Sequence, residues 1–246
     1  MPNDTRFEMQ DLEYLFPYHY LPELSDDGTP SIHRDLWWGL EYLTYMTYVR
    51  DRALALKPQR LLDAGSGDGR MIQLLGTRVP IRVGADLSTR SILLAKALNP
   101  DAEWYDCAVA DVPGTFDAIT CVEVMEHIPD EAMADFVASL RSKCAPTGRL
   151  IVSVPTIVRP LIPKHYRHYS LAILKQQLSP HFEVEDSAWL FRNNRTTILL
   201  NMLMNNRVFL LEHAGLRRLI WRTHRRKTFF GTDRDGAHLV AVCRPI

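Results

Sequence analysis

Short apolar runs alternate with stretches of three- and four-residue periodicity along most of the chain. The runs Arg60 to Ala64, Ile81 to Ala85, Ala102 to Tyr105, Ala118 to Val122, Leu150 to Val154 and Phe182 to Ala188 read as strands. Helical spacing fills the gaps around 69–76, 89–97, 131–144 and 171–178. Strands separated by helices predict a parallel sheet covered on both faces, and His238 to Cys243 predicts a seventh strand. Upstream, Leu36, Leu40, Leu43, Met46, Val49 and Ala53 predict a helix from Asp35 to Leu56, stopped by Lys57-Pro58. Residues 1–35, acidic, aromatic and broken by Pro and Gly, read as an irregular arm over the body.

This order gives an α/β protein with a seven-stranded, mostly parallel sheet and helices on both faces. Residues 1–58 form an N-terminal arm and helix expected to act as a lid, 59–191 the core, 192–232 a helical insert and 233–246 the last strand. An apolar share of 46% across 246 residues excludes collagen, a coiled rod or a disordered tail as the dominant state. Lys+Arg and Asp+Glu both stand at 29, so no overall field recruits nucleic acid. The balance hides a pole: residues 192–227 carry nine Lys/Arg and one acid, Glu212, a net of +8. That insert reads either as a packed helix pair with a solvated basic face or as a patch that meets an anionic membrane or a phosphorylated substrate.

Four dispersed cysteines without a CxxC pair fit a reducing compartment. The first thirty residues lack a basic start followed by an apolar stretch, and no run of 18 apolar residues occurs. The expectation is a soluble, cytoplasmic protein with a basic insert suited to peripheral contact at the inner membrane surface.

Strand Leu61-Leu62 runs into Asp63-Ala64-Gly65-Ser66-Gly67-Asp68-Gly69 and then directly into a helix. Glycines there let the chain turn sharply and a ligand approach the carboxyl edge of the sheet. The second strand ends in Asp86-Leu87-Ser88, a carboxylate 21 residues after Gly65 that suits two ribose hydroxyls. The spacing is G-x-G-x-G rather than G-x-G-x-x-G, and Asp63 precedes it, an unfavourable neighbour for a pyrophosphate. Carboxylates at Asp63 and Asp68 suit an ammonium-bearing ligand instead. On these motifs, and on Phe116-Asp117 opening the fourth strand, residues 59–190 and the last strand resemble the class I methyltransferases that use S-adenosylmethionine (SAM) and release its demethylated product SAH. The resemblance implies a Rossmann-like fold. It implies that Asp63, Gly65, Gly67, Asp68 and Gly69 line the methionine side, that Asp86 takes ribose, and that Leu87, Asp106 and Cys107 border adenine.

The fourth strand leads into Cys121-Val122-Glu123-Val124-Met125-Glu126-His127-Ile128-Pro129. This box resembles that of the ubiquinone-biosynthesis O-methyltransferases and the small-RNA 2′-O-methyltransferases. The resemblance implies a Mg2+ or Mn2+ site at Glu123, Glu126 and His127, with His168 of the segment Lys164-His165-Tyr166-Arg167-His168-Tyr169 as fourth ligand. Spacing of i, i+3 and i+4 would set the first three donors on one side of a helical turn. Such a cation would lower the pKa of a substrate hydroxyl and favour vicinal hydroxyls; without it, His127 or His168 serves as general base, with Glu126 beside it. Both routes imply O-methylation.

Rings at Tyr18, His19, Tyr20, Trp37, Trp38, Tyr42 and Tyr45 suit a cover for cofactor or sugar. Residues 192–244 resemble methyltransferases of surface-glycan and glycolipid synthesis, which implies a saccharide or glycolipid acceptor. RNA fits less well, since no added RNA-binding module is present. The other readings are a metal-independent enzyme acting on a quinone, a catechol or an RNA 3′ end, and a non-catalytic SAM-binding protein.

Overall fold

The computed structural model describes residues 5–12, 39–204, 211 and 213–246. Its seven strands lie in the order β3-β2-β1-β4-β5-β7-β6. They are β1 (Arg60–Ala64), β2 (Ile81–Asp86), β3 (Glu103–Asp106), β4 (Phe116–Val122), β5 (Cys144–Pro155), β6 (Phe182–Arg192) and β7 (Gly236–Pro245). All neighbours pair parallel except β7, which runs antiparallel to both β5 and β6.

The helices are α1 (Thr5–Leu12), α2 (Gly39–Ala55), α3 (Arg70–Leu75), α4 (Thr89–Leu98), α5 (Asp130–Lys143), α6 (Leu171–Leu178), α7 (Arg195–Met204) and α8 (Ala214–Lys227). The side-chain oxygen of Ser88 accepts from Ser91 N–H at the start of α4, and that of Ser170 accepts from Ile173 N–H at the start of α6, so each helix begins where a cap residue stands.

Successive strand residues point to opposite faces, and both faces are covered, which explains the unbroken apolar runs. Leu62, Ile119, Cys121, Val152 and Leu239 meet Met133, Val137 and Leu140 of α5 and Leu174 of α6 on one side. Leu61, Ala118, Ile151, Val240 and Val242 meet Met46, Val49 and Ala53 of α2 and Met71 and Ile72 of α3 on the other.

Several boundaries differ from the pattern. β5 begins at Cys144, directly after α5, and β6 continues past Ala188 to Arg192, because pairing with β7 carries on through Leu190 and Arg192. The insert therefore leaves the sheet at the end of β6 and folds as α7 and α8. Leu200 and Ile220 from these helices bury against Leu40, Phe191 and Ala237. The candidate ring residues Tyr18, His19, Tyr20, Trp37 and Trp38 lie outside the described residues, as do Val208, Phe209 and Leu210 of the insert. Among the described residues no helix is long and apolar enough to cross a membrane.

Candidate functional site

The carboxyl edge of the sheet gathers the chemistry. After β1 the chain enters the glycine loop, where Gly65, Gly67 and Gly69 all take positive φ. Asp86, at the end of β2, closes that loop: one carboxylate oxygen accepts from Gly67 N–H at 2.9 Å and the other from Ser88 N–H at 2.8 Å. Burial raises the Asp86 pKa, and Asp106 adds to the rise. Asp106 stands directly beside Asp86 in the β2–β3 register and is exposed, with Cys107 half-buried and Leu87 exposed nearby. Asp63 is buried, accepts from Thr120 Oγ1 at 2.7 Å, and is pushed up to about 7 by burial. Asp68 is raised as well, again by burial.

The loop packs on an indole. A Cβ added at Gly69 would stand 2.5 Å from Cη2 of Trp104, and one at Gly84 would stand 2.2 Å from its Cζ3. Trp104 is held by its Nε1–H, which donates to the Asn99 carbonyl at 3.0 Å.

The box after β4 departs from the expected helical turn. Glu123 takes φ of 55°, and the short 3-10 turn that follows spans only Met125–His127, so Glu123 does not share a helical face with Glu126 and His127. Instead its carboxylate accepts from Ser153 Oγ at 2.5 Å and faces His238 Nδ1 at 3.1 Å. The other nitrogen of His238 lies 2.8 Å from Glu41 of α2, which also pairs with Arg159 at 3.0 Å. Burial alone would depress His238, but Glu123 and Glu41 outweigh it and lift the imidazole to about 10. This positive centre in turn holds the Glu123 carboxyl below its ordinary range despite burial.

Glu126 is brought together with His127 and with His165, their ligating atoms all within 4.8 Å of one another. Glu126 is 1% exposed and its Oε2 has no hydrogen-bond partner. Burial, then the nearby Glu123 carboxylate, raises it well above the usual carboxylate range. His168 stands one step back: its Nε2 is 2.8 Å from Nδ1 of His165 and its Nδ1 is 3.0 Å from the Arg159 carbonyl. A carbonyl only accepts, so in neutral His168 the proton sits on Nδ1, Nε2 accepts from His165 Nδ1–H, and His165 keeps an unprotonated Nε2. His127 Nδ1 likewise lies 3.2 Å from the Lys164 carbonyl, which puts its lone pair on Nε2. Burial, with His127 beside it, lowers His165 to about 3 and keeps it neutral. A buried carboxylate with an orphaned oxygen and two imidazoles presenting lone pairs is a donor set that fits a divalent cation.

The segment that brings His165 here is fixed to the box. Tyr166 N–H donates to the Glu126 carbonyl at 2.8 Å, and Arg167 Nη1 donates to the carbonyls of Met125 and Ile128 at 3.0 and 2.7 Å. Above it α1 bridges both rims. Arg6 donates to the Pro163 carbonyl at 3.0 Å and Lys164 to Gln10 at 3.1 Å on one side, while Asp11 accepts from Ser88 Oγ and pairs with Arg90 at 2.7 Å on the other. Sequence reasoning missed His165, His238 and Glu41. The paired histidines of 165–168 carried a signal for the first; nothing local to 238 or 41 signalled the others.

Against known proteins, a family described as a methyltransferase domain matches residues 40–196. The chain is 33% identical over 131 residues to the mitochondrial ubiquinone biosynthesis O-methyltransferase of Schizosaccharomyces pombe, covering 50% of this chain and 46% of that protein. It is 35% identical over 157 residues to the ubiquinone biosynthesis O-methyltransferase of Neisseria meningitidis, covering 56% and 63%. The chain thus spans about half the length of the curated relatives it matches. Among solved structures, magnesium protoporphyrin IX methyltransferase of Synechocystis with bound SAM aligns with a TM-score of 0.59 at 14% identity, over 98% of both chains. The 1,6-didemethyltoxoflavin-N1-methyltransferase of Burkholderia thailandensis aligns with a TM-score of 0.59 at 18% identity, over 100% of this chain and 91% of that one. These structural likenesses concern the fold.

Proposed function

The chain belongs to the methyltransferase domain family, and from that premise we propose that it transfers the methyl group of SAM to a hydroxyl of a small polyhydroxylated acceptor, a saccharide or glycolipid. The glycine loop, with Asp63 and Asp68, receives the methionine end. Asp86 accepts from the ribose hydroxyls through the lone pairs its two N–H donors leave, and Leu87, Asp106 and Cys107 border the adenine. Helix α1 acts as a lid, since it touches both the cofactor rim at Ser88 and the acceptor rim at Pro163.

The observation that carries the O-methylation reading is the cluster of Glu126, His127 and His165 with its orphaned buried oxygen. Glu126, His127 and His165 would hold a Mg2+ or Mn2+ ion, which when bound would acidify a coordinated hydroxyl and favour vicinal pairs. His168 orients His165 through its hydrogen bond. In the transfer the acceptor oxygen forms a bond to the methyl carbon as the carbon–sulfur bond breaks, the sulfur keeping the electron pair. With the cation held, the hydroxyl proton leaves to solvent; without it, His127 Nε2 takes the proton. The polypeptide's own work is to align the attack in line and to shut out water.

A second reading is favoured by the relatives, whose names specify ubiquinone biosynthesis: a dihydroxylated ring in place of a sugar. The deciding assay follows SAH release from SAM with sugar, glycolipid and catechol acceptors, with and without EDTA. Turnover on a vicinal diol that EDTA abolishes and Mn2+ restores is the expected result. Chelator-resistant turnover leaves the general-base route through His127, and silence with every acceptor despite SAM binding leaves a non-catalytic SAM-binding protein.

A further inference from the structure

Helix α7 turns an apolar face to solvent. Ile198, Leu199, Met202 and Leu203, spaced i, i+1, i+4 and i+5, share that face, and Leu199 and Met202 are each 56% exposed. Neighbouring α8 adds Leu216 and Leu219, 42% and 55% exposed, at i and i+3. Beside this stripe Arg218, Arg222 and Arg225 follow i, i+4 and i+7 on the outward side, while Ile220 and His224 face the core. A solvated basic helix accounts for the arginines alone. It leaves six large apolar side chains in water on the same hairpin.

Between α8 and α2 lies a cleft of about 470 Å3, lined by Arg50 and Asp51 of α2 and by Trp221, Arg222, Arg225 and Arg226 of α8. Asp51 is already taken by Arg50, with contacts of 2.6 and 2.8 Å. Among the described residues no carboxylate forms an ion pair with Arg217, Arg218, Arg222, Arg225 or Arg226. Four guanidinium groups line this cleft against one carboxylate, Arg225 lying over the Phe229 ring at 4.6 Å, and their forked donors match phosphate oxygens. The cleft is remote from the methyl-transfer site: Arg50 lies nine residues along α2 from Glu41, about 13 Å at helical rise.

We infer that the α7–α8 hairpin is a docking surface for an anionic phospholipid bilayer, with the α2–α8 cleft taking a lipid phosphate. The leucines, isoleucine and methionine enter the boundary between headgroups and acyl chains, and the arginines stay at phosphate level. RNA would engage the arginines and leave the apolar face uncovered. This surface is independent of the acceptor and of the cofactor, so its test fails or succeeds apart from the methyl-transfer reading.

The experiment is co-sedimentation of the full chain, without cofactor, with vesicles of phosphatidylcholine alone or mixed with phosphatidylglycerol. Expected is pelleting with the mixed vesicles only, reversed by high salt. Arg222→Glu with Arg226→Glu should weaken that partition roughly tenfold or more. Leu199→Gln with Met202→Gln should weaken it as well while keeping its salt dependence. Both pairs are exposed, so unchanged thermal unfolding and SAH affinity certify the variants. Equal partition onto both vesicle types, indifference to the charge reversal, heat of inorganic phosphate binding without vesicle binding, or displacement of vesicles by single-stranded RNA would each overturn the inference.

Discussion

His165 and His168 form an ordered pair: Nδ1 of His165 stands 2.8 Å from Nε2 of His168, whose own Nδ1 faces the Arg159 carbonyl. The second ring thereby sets the tautomer of the first and aims its lone pair at Glu126 and His127. Removing that support with His168→Ala should lower Mn2+ affinity by roughly 10- to 100-fold. His168→Gln, whose side-chain carbonyl can accept the same proton, should recover most of the loss. Titration of Mn2+ by its paramagnetic resonance signal reads this directly, and equal affinities for wild type and the Ala variant would remove His168 from the supporting role.

His238 joins two carboxylates that lie on different elements, the buried Glu41 and the half-buried Glu123. His238→Leu leaves Glu123 without its cation and Glu41 with Arg159 alone, and should cost about 3 kcal/mol in urea unfolding. His238→Leu combined with Glu123→Gln should be less damaging than the single change. If the two variants unfold alike, the triad is not an energetic unit.

Asp86 shapes the glycine loop through Gly67, and the proposed function has it meet ribose as well. Asp86→Ala should therefore weaken SAH binding by roughly tenfold or more. The calorimetric Kd checks it, and an unchanged value would discredit the ribose assignment.

His224 supplies an acid sensitivity separate from the site. It is fully buried between Thr44 and Thr228, each hydroxyl 2.7 Å from a ring nitrogen, and burial lowers it from 6.5 to about 4. Between these values the unfolded chain binds the extra proton, so stability is complete above pH 6.5 and falls as pH drops toward 4. The loss is on the order of 3 kcal/mol at most. Urea melts at pH 7 and pH 4.5 should show it, and His224→Gln should flatten that part of the profile.

The fold was legible because the strands are buried on both faces, which writes them into the sequence as continuous apolar runs, and because Ser170 marks a helix start. Glu126 and His127 were legible for a similar reason, lying together on one tight turn. Glu123 was not, since its positive φ swings the carboxylate toward Ser153 and His238, and spacing arguments assume regular backbone. Partners such as Glu41 and His238 stand 197 residues apart and meet only once β7 has inserted between β5 and β6. Periodicity carries no trace of such a meeting.

The indole of Trp104 wedged against Gly69 and Gly84 ties three distant positions to one another. A side chain can appear at Gly84 only after the ring has been exchanged for something smaller, whereas Gly69, at φ of 80°, is held to glycine by its backbone as well. Descent through this fold should therefore keep Gly84 and Trp104 or replace them in concert, and a hybrid gene that draws its second strand from one lineage and its third from another should fold poorly at that seam.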